Sequence, residues 1–63
     1  MESEVRRKQI IDVLTHASGP VTGAELSKRC QVSRQIIVGD VALLRARGVS
    51  IISTPRGYQL EHV

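Results

Sequence analysis

A chain of 63 residues can form one small domain near the lower limit for a self-sufficient core, too small for a buried catalytic cleft, so an enzyme is not expected. Its single cysteine, Cys30, excludes an intramolecular disulfide and suits a reducing compartment, and no apolar run approaches the roughly 20 residues of a membrane span; a soluble, cytoplasmic protein without a membrane partner is expected. The formal net charge of +3 is only a mild pointer to a polyanion.

The first helix is expected over residues 4–17, with Ser3 as N-cap, Glu4 in the first turn, and Ile10, Val13, Leu14 and Ala17 at helical spacing on one face. Gly19-Pro20 ends it, because proline has no amide to donate and restricts the residue before it; Val21 is then a short extended link. The stretch "TGAE", Thr22 to Glu25, reads as a capping box. In it the threonine hydroxyl takes an amide of the first turn and the Glu25 carboxylate reaches back to the Thr22 amide. A second helix, anchored inward by Leu26, therefore starts here and runs to about Arg29.

After Cys30-Gln31-Val32, Ser33 offers a new N-cap, and two capped helices separated by about three residues have helix-turn-helix spacing. The third helix is expected over 34–47, with Ile37, Val41 and Leu44 inward, Ile36 and Leu43 beside them on a wide apolar face, and Gly48 as the stop. Residues 49–54 and 57–60 are β-prone runs flanking a Pro-Arg-Gly tip, which makes a hairpin. The fold class is mainly α with a small β-hairpin: a winged helix-turn-helix of three helices plus a wing.

Charge is unevenly placed along this plan. Between Lys28 and Arg56 lie six basic residues and one acid, Asp40, whereas Glu2, Glu4 and Asp12 fall in the first helix. Tyr58 is the lone aromatic residue, so stacking platforms for single strands are not expected, and duplex phosphates are the better partner. On the third helix Gln35, Val38, Gly39, Ala42 and Ala46 fall opposite the inward line. Small residues there suit a helix sunk in a major groove, although Gly39 reads either as a site of close approach or as drift.

Arg34 and Gln35 occupy the first turn, where arginine can meet guanine and glutamine adenine; the competing reading is of solvated polar residues. Thr22 and Ser33 are caps, which is compatible with a phosphate at the same helix ends. Thr54 and Arg56 belong to the wing, where Arg56 is either a solvated turn residue or a probe of phosphate or minor groove. The candidate DNA-binding set is thus Thr22, Ser33, Arg34, Gln35, Val38, Gly39, Thr54 and Arg56. Asp40, on the inner edge of the third helix, reads as an ion-pair or capping partner of an arginine. His16, Cys30 and His62 lack metal-ligand spacing, and neither a catalytic triad nor a phosphate loop is present.

The stretch "TGAELSKRCQVSRQIIVGDVALLRARGVSIISTPRGYQL" resembles the winged-helix module of biotin-ligase-repressor-like regulators. More closely, "VSRQIIV.D.ALLRARG" followed by "I.ST.RGYQL" is similar to the NiaR (YrxA-type) family of niacin-responsive repressors, from Arg6 to Leu60. The resemblance implies a recognition helix at Ser33 to Arg47 and a wing at Thr54 to Tyr58. It further implies a repressor of NAD biosynthesis and niacin uptake whose second domain binds nicotinic acid and a metal through histidines; no cofactor is expected in residues 1–63, read as a single DNA-binding domain and an N-terminal fragment. The parent is expected to be a homodimer, although this chain alone can be a monomer. Where Gly39 stands, the resemblance implies a polar base-reaching residue, so the operator differs or a contact is lost. Two further readings stay open: a winged helix that binds protein, and the regulatory head of a biotin-ligase-like bifunctional enzyme.

Overall fold

A computed structural model describes residues 2–61. Three helices, α1 (Glu2–His16), α2 (Gly23–Cys30) and α3 (Arg34–Ala46), precede an antiparallel hairpin of β1 (Ile51–Thr54) and β2 (Gly57–Leu60). This is the expected winged helix-turn-helix. Ile10 and Leu14 of α1, Leu26 of α2, Ile37, Val41 and Leu44 of α3, and Ile51 of β1 form the buried core, and Val21, Val49, Tyr58 and Leu60 pack against it from the rim. Three helices alone would leave this cluster open on one side; the hairpin closes it.

Both turns that punctuate the helices use the same device. At the end of α2 the Val32 amide donates to the Ser27 carbonyl and the Gln31 amide to Lys28, with Gln31 in the left-handed region at φ 58°. At the end of α3 the Val49 amide donates to Leu44 and the Gly48 amide to Arg45, with Gly48 at φ 101°. These paired bonds satisfy carbonyls that a helix end leaves without partners. Because Val49 is held in this closure, β1 begins at Ile51 rather than at residue 49.

Two further boundaries differ from expectation. Helix α1 starts at Glu2, so Ser3 lies inside it and is not its cap. In the capping box only half forms: the Thr22 hydroxyl accepts from the Glu25 amide at 3.1 Å, whereas the Glu25 carboxylate accepts from Arg29 Nε at 2.9 Å, one turn along the same helix.

The wide apolar face expected on α3 is narrower in the fold. Ile36 and Leu43 are 43% and 36% exposed, because the row they share with Asp40 and Arg47 meets α1 through charge. Asp40 is buried and takes Arg6 at Nε and Nη2, with Arg7 Nε at 3.3 Å from its Oδ1. Arg47 Nη2 lies 2.9 Å from Glu4 Oε2, which also accepts from Arg7. The hydrogen bond and charge of Arg47 lower the Glu4 pKa, so this contact favours the fold at pH values above the ordinary carboxylate range and is lost as pH falls from there through the lowered value. Burial raises the pKa of Cys30, which keeps its thiol protonated at neutral pH.

Candidate nucleic-acid interface

The hairpin turns in two residues, Pro55 and Arg56, between the paired Thr54 and Gly57. The Thr54 hydroxyl donates to the Gly57 carbonyl at 2.8 Å and accepts from the Arg56 amide at 3.1 Å, which locks the tip. Gly57 stands at φ 137°, and a Cβ there would sit 2.5 Å from the backbone of Val21. Only glycine fits that approach. The approach in turn lets Val21 and Tyr58 exchange backbone hydrogen bonds of 2.8 and 2.7 Å, adding the link before α2 to the edge of the sheet.

That bridge sets the start of α2 beside the wing. Between them lies a notch of about 280 Å³ lined by Thr22, Gly23, Arg34, Ser53, Thr54, Pro55, Arg56, Gly57 and Tyr58. The Arg34 side chain turns into it, with Nε 3.7 Å from where a Gly23 Cβ would be, and Tyr58 closes its inner wall. Of the six basic residues from Lys28 to Arg56, Arg29 pairs with Glu25 and Arg47 with Glu4, whereas Arg34, Arg56 and Lys28 form no ion pair among the described residues. Two of these three residues, Arg34 and Arg56, line the notch. Its chemistry, two arginines with the start of α2 at Thr22, complements a phosphate diester.

A family model described as HTH domain matches residues 6–59. The chain belongs to the HTH domain family. The HTH domain is 49% identical over 55 residues, 87% of this chain and 31% of the relative, to the probable transcription repressor NiaR of Thermotoga maritima. It is 49% identical over 53 residues, 84% of this chain and 29% of the relative, to transcription repressor NadR of Bacillus subtilis. The chain therefore spans about a third or less of the length of these curated relatives.

In this HTH domain the outward face of α3 is free. Gln35, Val38, Gly39, Ala42 and Ala46 are exposed, and a Cβ on Gly39 would meet nothing within 4 Å. Ser33, like Thr22, caps its helix, accepting from the Ile36 amide at 3.3 Å. The candidate residues therefore fall in two groups: Thr22, Arg34, Thr54 and Arg56 at the notch, and Gln35, Val38 and Gly39 along α3, with Ser33 at the start of that helix.

Sequence reasoning missed Arg45. Its Nε donates to the Ile51 carbonyl at 2.8 Å and its Nη2 to the Ser53 hydroxyl at 2.9 Å, tying the wing to the last turn of α3. Counted with the surface cations, it is instead a strut of the site. The spacing of six and eight residues was visible, but the angle between helix and hairpin that brings the groups together was not. The described residues hold no group of three His, Cys, Asp or Glu side chains able to bind a metal, and His62 lies outside them. No helix among them is long and apolar enough to cross a membrane.

Proposed function

We propose that this HTH domain binds double-stranded DNA in a sequence-specific manner, as the reading domain of a cytoplasmic transcription repressor without enzymatic activity of its own. The reading rests above all on one observation: Arg34 and Arg56, which form no ion pair among the described residues, line one notch directly beside an exposed helix face of small residues. In this reading α3 enters the major groove and the wing lies along the backbone or the adjacent minor groove. Arg34 and Arg56 neutralise phosphates from the notch, and the helix starts at Thr22 and Ser33 receive phosphate oxygens through their free amides. Thr54 keeps the wing tip in shape.

Gln35 faces the groove floor, where its amide can pair with adenine, and Gly39 lets the helix sit deep. The relatives' names, NiaR and NadR, support control of NAD biosynthesis or niacin uptake genes as the parent protein's role; in this reading that parent further acts as a homodimer.

Titration of a duplex pool at several salt concentrations tests the reading. The expected result is a linear fall of log affinity with log salt, with a slope of about −0.9 for each phosphate neutralised. A flat dependence overturns it, because phosphate neutralisation cannot be independent of salt.

A further inference from the structure

Val38 is 52% exposed on the second turn of α3 and stands outside the core cluster. It adds nothing to the core, and a β-branched residue forms helix less readily than the alanine or glutamate that a solvated face usually carries. One turn before it on the same flank stands Arg34, and one turn after it Ala42. Next to it a Cβ on Gly39 would meet nothing within 4 Å, so the exposed half of Val38 borders open space on the side of the outward face.

The chemistry of this strip is narrow. Val38, Gly39 and Ala42 carry no side-chain donor or acceptor, so they cannot meet guanine, cytosine or adenine through their polar edges. In the major groove the one apolar group on any base edge is the 5-methyl of thymine. We propose that Val38, with Ala42 one turn on, reads thymine 5-methyl groups, so that the duplexes this domain selects carry A·T pairs beneath the second and third turns of α3. The inference rests on the duplex-binding reading above and adds to it the class of base pair preferred. Gln35, one turn before Gly39 on the outward face, is placed to supply the polar half of the same preference through adenine.

The test uses the 63-residue chain and duplexes selected by it from a random library, with each thymine of the selected site replaced in turn by deoxyuridine, which deletes the methyl group alone. At one or more positions deoxyuridine is expected to weaken binding about fourfold, the worth of one buried methyl-sized group. In Val38→Ala, whose helix is intrinsically favoured, that difference should shrink or vanish. If the chain binds its selected site and tolerates every deoxyuridine, the inference is overturned while duplex binding stands. If the penalty persists unchanged in Val38→Ala, the methyl is read by another residue and the assignment to Val38 fails. If no duplex is bound at any salt concentration, both readings fail together.

Discussion

The buried carboxylate of Asp40 on α3 is gripped from two sides by Arg6 of α1, through Nε and Nη2, at a separation of 34 residues in the chain. It is the joint between the helix that presents the candidate interface and the helix behind it. Asp40→Ala leaves the arginine pair without its acceptor and should lower the free energy of unfolding by about 3 kcal/mol, the lower end for a broken buried pair because Arg6 can still reach water. Asp40→Asn, which keeps the shape and one acceptor oxygen for Arg6, should lose less. Urea unfolding of the two variants measures the difference.

Gly57 and Gly39 should respond in opposite senses to the same substitution. Gly57→Ala drives a Cβ into the Val21 backbone at a φ that L residues avoid, and should cost more than about 2 kcal/mol while releasing the Val21–Tyr58 bridge. Gly39→Ala meets open space within a helix and should add about 1 kcal/mol of stability. The same methyl should weaken duplex binding, since it stands on the face that enters the groove. Thermal unfolding and duplex titration of both variants separate fold from interface.

Arg45 acts on the wing rather than on DNA. Arg45→Met keeps the aliphatic stem but removes both bonds to the hairpin, at a cost of about 1–2 kcal/mol. Amide exchange in β1 and β2 should quicken while that of α1 stays slow. Arg45→Lys should not restore protection, because one ammonium cannot reproduce the fork that spans the Ile51 carbonyl and the Ser53 hydroxyl.

Arg34→Ala and Arg56→Ala should each weaken binding by a similar factor on every duplex and reduce the salt slope by about one unit. Gln35→Ala should instead relax the choice among sequences. Binding measured on a selected site and a scrambled one, at three salt concentrations, distinguishes these outcomes. A loss for Arg34→Ala confined to the selected site would make Arg34 a reader of bases.

Gln31 holds the left-handed position that closes α2, and its side chain is exposed. Gln31→Gly should relieve the steric cost of that conformation and raise stability by about 0.5–1 kcal/mol, visible as a higher melting temperature. A lower melting temperature would mean that the glutamine side chain makes a contact worth more than the strain.

Much of this protein could be read in local chemistry. Thr22 and Ser33 start helices because a hydroxyl can take an orphan amide three residues on, and Gly48 stops one because it tolerates positive φ; these are short-range facts written in neighbouring residues. The inward line of Ile37, Val41 and Leu44 follows in the same way from the helical period.

What the tertiary structure alone decided is how charges and faces are allotted among distant segments. Asp40 meets Arg6, Arg47 meets Glu4 and Arg45 meets the wing, so three of the basic half's charged groups are engaged inside the fold, and Ile36 and Leu43 are pushed to the surface. Only after that allotment do Arg34 and Arg56 stand out as cations that line the notch with no ion pair among the described residues. A run of sequence records which charges exist, but which remain available depends on which helices cross and at what angle. That is set by packing of the whole core, to which no single stretch of the chain is privy.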